Sequence, residues 1–390
     1  MIALKLAYRN LVGAGLRTWL NAIVLSFSFV VIIWHYGLLD GWNRQARRDT
    51  INWKIGGGQY WHEKYDPYDP FTITDSHGIL PEKLRADAAK GACAPVLIAQ
   101  ATMYPNGRMQ NVLLKGISPN QKILLIPSSS LKKDIEEIPV MVGARMAANN
   151  KFNVNDLITV RWRDVNGAFD AAEMKIAAIF KTNVPTIDNG QIWIPLERLR
   201  EMLQMPGQAT IVVTDRNTKI SGTVPGWIFK DHNFLLAEMD EIIKSKMIGG
   251  AIMYVLLMAL AMLAIFDTQV LSIFRRRKEI GTEIALGMTR GQVVRLFTIE
   301  GAMHGIFAAI LAAVYGIPLL LLQAKKGLSM PQAVDDYGMA IAEKIIPVYS
   351  IGLVLGTTLL VLITTTIVSF IPAGKIAKMK PTDAIRGKIQ

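Results

Sequence analysis

Four apolar runs, each long enough to cross a bilayer, constrain this chain more than any other feature. A helix rising roughly 1.5 Å per residue needs about 20 apolar residues to cover the hydrocarbon core. Residues 19–39 (WLNAIVLSFSFVVIIWHYGLL), 247–273, 297–322 and 348–371 all meet that length. In lipid, such a stretch must satisfy its own backbone, and an open chain does so as a helix. The sequence therefore predicts an α-helical membrane protein with four transmembrane helices. Of its 390 residues only 19% are charged, against about 25% in soluble domains. The net charge of +12 would suggest nucleic acid in a soluble protein. Here the basic residues cluster beside the spans, which points to membrane lipids and away from nucleic acid.

Those flanking charges also set the orientation. The N-terminal segment carries Lys5, Arg9 and Arg17 without an acid. The connection between the second and third spans carries Arg275, Arg276, Arg277, Lys278, Arg290 and Arg295 against Glu279 and Glu283. The C-terminal segment carries Lys375, Lys378, Lys380, Arg386 and Lys388 against Asp383, whereas the connection between the third and fourth spans is balanced. The positive-inside rule then places both termini in the cytoplasm of a multi-pass protein. The resulting plan is a cytoplasmic amphipathic helix (1–18), the first span (19–39), and a large extracytoplasmic domain (40–246). The second span (247–273), a cytoplasmic coupling helix (274–296) and the third span (297–322) follow. A short external loop (323–347), the fourth span (348–371) and a cytoplasmic tail (372–390) complete it. The first span is longer than the roughly 7–15 apolar residues of a signal peptide and lacks a small-residue cleavage site, so a retained anchor is expected.

Residues 40–246 alternate turn signals with short candidate strands and helices. Ala94–Thr102 and Met109–Lys115 flank Pro105-Asn106-Gly107 as a hairpin would, and Leu157–Trp162 and Met174–Phe180 flank Asn166-Gly167. Pro81–Lys90, Ala144–Asn150 and Leu196–Leu203 read as helices. Strands and helices mix without a βαβ rhythm, which predicts an α+β domain. No catalytic constellation or metal-ligand spacing occurs, the lone Cys93 can form neither an intrachain disulfide nor a thiolate metal site, and the Gly56-Gly57-Gly58 run reads as a loop or bulge. No phosphate loop GxxxxGK[ST] occurs either, so ATP-driven work would need a separate ATPase.

The most informative stretch is Arg275–Gly301, RRRKEIGTEIALGMTRGQVVRLFTIEG. Ile280, Ile284 and Leu286 interleave with Glu279, Glu283 and Arg290, as in a helix offering an apolar face with charged edges to a groove on a partner. In the spans, Gly301, Gly305, Ala309 and Ala313 recur at spacing four, as do Gly352 and Gly356, which suits close helix packing. Asp267 is expected near the cytoplasmic interface, paired with an arginine.

This stretch resembles the coupling segment of the MacB/FtsX/LolC-E class of ABC transporter permeases. The match runs through Arg277, Glu279, Ile280, Gly281, Ala285, Leu286, Gly287, Phe297, Glu300 and Gly301. LAYRNLVGAGLRTWL (6–20) and PAGKIAKMKPTDAIRG (372–387) resemble the class's opening and closing motifs. VMVGARMAANNKFNVNDLITV (140–160) resembles a third motif, with Asn155 where glycine is usual. The resemblance implies a non-catalytic permease subunit of the bacterial inner membrane that relays ATP-driven motion to its external domain. Glu279, Ile280, Gly281, Glu283, Ile284, Ala285, Leu286 and Gly287 would couple it to a separate ABC ATPase. ATP and Mg would sit on that ATPase, with no cofactor in this chain. A second permease protomer, identical or paralogous, is implied as well. The segment Ile179–Leu203 is most similar to the lipoprotein-releasing branch, where a periplasmic lipoprotein chaperone takes the cargo. A MacB-like efflux permease with an adaptor, and an FtsX-like signalling subunit acting on a cell-wall hydrolase, are the alternatives. The charge asymmetry gives a direct test of topology: a reporter after Asn150 should label from outside, and one after Gln390 from the cytoplasm. The reverse pattern overturns the orientation.

Overall fold

The computed structural model describes residues 16–132, 137–217, 224–329 and 344–376. Most of the 1–18 segment, the 323–347 connection and the 372–390 tail lies outside them. In chain order the helices are α1 (Leu16–Thr50), α2 (Glu82–Ala89), α3 (Ala144–Asn150), α4 (Leu196–Leu203), α5 (His232–Arg275), α6 (Arg277–Ala285), α7 (Arg290–Lys326) and α8 (Ile351–Ile376). The main sheet comprises β1 (Gln59–His62), β2 (Cys93–Met103), β3 (Gln110–Ile117), β4 (Ile138–Gly143), β5 (Leu157–Arg163), β6 (Phe169–Phe180), β7 (Gln191–Pro195), β8 (Ile211–Thr214) and β9 (Trp227–Lys230). Two compact units result: the described residues within 1–42, 242–328 and 346–390 form one, and those within 43–241 and 329–345 the other.

The first unit holds four helices long and apolar enough to cross a membrane, which makes the chain a membrane protein. Its core joins Leu25, Phe29 and Val30 of α1 to Ala261, Met262 and Ile265 of α5, Ala308 and Ala312 of α7, and Val361 of α8. Small residues permit this approach. A Cβ on Gly301 would run into Ser369, one on Gly305 into Thr365 and Leu362, and one on Gly316 into Val30. Ala309 is half-buried against the same core. Gly352 and Gly356 behave otherwise: both are exposed, and nothing lies within 4 Å of a Cβ built on either. Gly301, Gly305 and Ala309 of the third span thus pack within the chain, whereas Ala313 is exposed and the fourth span's Gly352 and Gly356 face outward. Asn21 Nδ2 donates to Thr268 Oγ1 at 2.7 Å, a polar bond between α1 and α5. Asp267 is exposed and forms no ion pair among the described residues, against the expected arginine partner.

The second unit is built on a mixed nine-stranded sheet in the order β9-β1-β8-β2-β3-β7-β4-β6-β5, with β5 also pairing back onto β2. That last pairing, Ala101 opposite Trp162 through Met103 opposite Val160, closes six strands into a ring without free edges. Both expected hairpins form, β2 with β3 and β5 with β6. The β3–β7 and β4–β6 pairs are parallel. Alternate side chains divide between two cores. Leu97, Met103, Leu114, Val140, Val160 and Ile192 cluster with Leu199 and Leu203 of α4 and Met146 of α3. Val96, Ile98, Met141, Trp193, Ile211 and Val213 enter a second cluster with Leu124, Ile126 and Leu131.

Three backbone positions explain sequence details. Gly56 (φ +65°) and Gly58 (φ +136°) let the glycine run lie against β8, where Gly57 N–H donates to Thr214 O at 2.7 Å and Thr214 N–H to Gly58 O at 2.9 Å. Asn155, at a position where the resembling class favours glycine, has φ +76°. Asparagine is among the side chains that best tolerate this left-handed region.

A buried ion pair links α3 to the helical turn Pro185–Asp188. Arg145 Nη1 lies 2.7 Å from Asp188 Oδ2, the aspartate side chain being 1% exposed, and the same nitrogen donates to Thr182 O at 2.9 Å. Burial pushes the Asp188 carboxyl up while Arg145 pulls it down. Asp188→Ala leaves a largely buried guanidinium without its anion and should destabilise this unit by about 3–5 kcal/mol. Denaturant titration followed by tryptophan fluorescence measures the loss.

Candidate functional site

The sequence concentrates its candidate residues in the connection between α5 and α7, and the structure shows it as an elbow. Helical backbone ends at Arg275, Arg276 adopts φ −93° and ψ 11°, and α6 starts at Arg277. The nine residues of α6 end as Leu286 N–H donates to Thr282 O at 2.9 Å and Gly287 N–H to Ile284 O at 3.1 Å. Gly287 has φ +106°, which breaks the ladder at a position where a Cβ would be strained. Thr289 then caps α7 with a reciprocal box: Gln292 N–H donates to Thr289 Oγ1 at 3.3 Å and Thr289 N–H to Gln292 Oε1 at 2.8 Å. The expected single coupling helix over 274–296 is therefore a short helix, a turn, and the first turns of the third span's helix.

The apolar residues of α6 do not share one destination. Ile280 is 3% exposed and packs on Ile273, Val293, Phe297 and Ala373, with Ile284, Met288 and Val294 half-buried around them. Gly281 is buried too. The expectation that Ile280 and Ile284 form an outward apolar face is thereby corrected: that face closes the elbow onto its own bundle, because α6 folds back against α7 and α8. What faces outward is the end of α6. Ala285 and Gly287 are exposed, and Leu286 is 84% exposed, a large apolar side chain at the tip. The Glu279 side chain, near the start of α6, is 65% exposed. The Glu283 side chain lies outside the described residues.

Arg276, which no spacing rule singled out, locks the bend. Its Nε donates to Glu279 Oε2 at 2.9 Å, its Nη1 donates to the buried Glu300 Oε2 at 3.3 Å, and its guanidinium lies 5.3 Å from the Phe297 ring centroid. One side chain thus ties α6 to α7 across the elbow. The only signal in the sequence was the pairing of a buried-type Glu300 with a local excess of arginine.

Residues 251–381, which contain this elbow and the last three spans, match the FtsX-like permease C-terminal family. Beyond that stretch, the chain is similar to the "Lipoprotein-releasing system transmembrane protein LolC" of two strains of Xylella fastidiosa. Each is 20% identical over 334 residues, covering 77% of this chain and 78% of the relative. Together these similarities support an ABC transporter permease of the FtsX/LolC type. Permeases of this family are non-catalytic transport subunits.

The permease's elbow should depend on Arg276. Arg276→Met leaves the Glu300 carboxylate buried without its donor, an expected cost of about 1–3 kcal/mol. A matching fall in the thermal midpoint of the purified permease, rescued by adding Glu300→Gln, checks it. An unchanged midpoint in Arg276→Met would remove the lock.

Proposed function

We propose that this permease sits in the bacterial inner membrane with both termini cytoplasmic and docks a separate ABC ATPase on the α6 elbow. ATP-driven motion at that elbow reaches the extracytoplasmic domain through the spans, and the work releases lipoprotein or another lipid-linked cargo from the membrane. A second permease protomer completes the assembly, and a periplasmic lipoprotein chaperone or adaptor receives the cargo.

One observation carries the docking half of this reading. Leu286 is exposed on the turn that Gly287 and the Thr289 cap form at the end of α6, and Glu279 is exposed two helical turns earlier. A large, exposed apolar side chain on a capped turn has the character of an interface anchor. The cargo half is supported by the similarity of most of the chain to the lipoprotein-releasing LolC proteins.

Gly287→Trp would strain a left-handed residue as well as block a contact, so its result could not be assigned. Leu286→Asp alters an exposed tip and should shift stability by no more than about 0.5 kcal/mol. Gentle solubilisation and pull-down of the unaltered chain should recover a nucleotide-binding subunit in stoichiometric amount. With Leu286→Asp that recovery should fall about ten-fold or more at unchanged permease stability. Recovery of the native permease without any nucleotide-binding subunit sinks the proposal.

A further inference from the structure

The second unit contains a cavity of about 310 Å³ that plays no part in the elbow. This is the low end of ligand-pocket sizes, roughly 300–1,000 Å³. Its floor is one face of the sheet. Leu113 and Lys115 of β3 pair with Gln191 and Trp193 of the parallel β7, so the four side chains stand together, with Val96 and Val213 beside them. The residues between them, Leu114 and Ile192, belong to the core on the other face. The rest of the lining includes Trp53 and Lys54, Tyr65 and Tyr68, and Phe234 and Glu238 at the start of α5.

Lys115 is out of place in such a wall. Its ammonium lies 5.4 Å from the Trp193 ring centroid. Among the described residues no carboxylate and no hydrogen-bond acceptor meets it. Burial, with Lys54 nearby, pushes its pKa down to about 7. Lys54 is also lowered by burial, but Glu238 acts on it in the opposite direction. Glu238 in turn accepts a hydrogen bond from Tyr68 Oη at 3.1 Å. The cavity therefore holds one cation with an acid opposing its desolvation and one without. A second donor is also unused. Trp193 is 3% exposed, and its indole N–H has no acceptor among the described residues. Gln191, which donates to Thr186 O, leaves its Oε1 unpartnered. A half-buried ammonium at the cavity wall and a buried N–H, both without partners, are costly, and a bound anion that accepts from both offsets that cost.

We propose that this cavity binds a small apolar monocarboxylate, its head accepting from Lys115 and Trp193 and its body lying among the aromatic side chains. Charge selects the head, because a single uncompensated cation and one neutral N–H suit a monoanion better than a dianion. Volume limits the body. At about 30 Å³ per water in the liquid, the space matches roughly ten waters, so a chain of about ten non-hydrogen atoms fills it.

The test uses the full chain in lipid nanodiscs, with hexanoate, hexanol and hexylammonium as probes and empty nanodiscs as the blank, read by titration calorimetry. Saturable one-to-one binding of hexanoate alone is expected. Lys115→Met should weaken it about ten-fold or more, the scale of a lost charged hydrogen bond. Trp193→Phe, which keeps the ring and removes the N–H, should weaken it by less. Thermal unfolding of both variants confirms that they remain folded. Binding should also be weaker at pH 9 than at pH 6, because Lys115 loses its proton as pH rises through about 7. Lys54, Tyr65, Tyr68 and Glu238 are the other ionisable groups lining the cavity. Equal binding of hexanol would show an apolar cavity without anion recognition and overturn the proposal. So would hexanoate binding unchanged in Lys115→Met, or no saturable heat up to about 10 mM.

Discussion

Hydrocarbon offers a peptide group no hydrogen-bonding partner, and the arrangement of this permease follows from that constraint. Its four apolar segments are helices because only a helix satisfies an isolated spanning backbone from within. Since lipid tails are as apolar as leucine, burial alone then does little to hold the helices together, and close approach and scattered polar bonds take over. Gly301 against Ser369, Gly305 against Thr365 and Gly316 against Val30 supply the first. Asn21 to Thr268 supplies the second. At the α5–α7 connection the backbone must leave the helix, and there the chain uses side chains: Thr289 and Gln292 satisfy a helix start, and Arg276 spans the bend to Glu279 and Glu300.

The second unit meets a related constraint by another route. A sheet cannot satisfy its edge strands internally unless it closes, and here the β2–β5 pairing closes six strands. Closure gives the ring an inside, filled by Leu97, Leu114 and Val160 together with α4. It leaves an outer face that must be covered from elsewhere. Loop residues Leu124, Ile126 and Leu131 cover part of it. Another part borders the cavity at Lys115 and Trp193. Strand alternation thus decides that Leu114 serves the ring core and Lys115 the cavity, although they are neighbours in sequence.

Much of this was legible locally. Length and hydropathy marked four long apolar helices, though not how far the first and second run past their apolar stretches, Pro105-Asn106-Gly107 and Asn166-Gly167 marked both hairpins, and α3 and α4 lay where residue pattern placed them. Non-local features were not legible. Nothing in β2 or β5 alone encodes their pairing, because each strand's pattern only says which side chains face inward. Periodicity showed that Ile280 and Ile284 share a face but not whether a partner or the chain's own bundle covers it. The bundle covers it, because Phe297 and Val293 of α7 reach Ile280. Likewise Gly301 and Gly352 carry the same spacing signal, and only the packing of α7 on α8 distinguishes them.

The inward turn of Ile280 bears on how an elbow of this kind can transmit force. Had the apolar face of α6 been free, a partner could have gripped it without moving α7, since a nine-residue helix on flexible ends transmits little. With Ile280 seated among Ile273, Val293, Phe297 and Ala373, and Arg276 bonded to Glu300, α6 is packed against three of the bundle's helices. A displacement applied at Leu286 then has to be accommodated in a close-packed core, which resists compression and passes strain onward. The contact proposed at Leu286 can consist of few residues, because the buried side of the elbow, and not the size of the surface, determines how firmly it is held to the bundle.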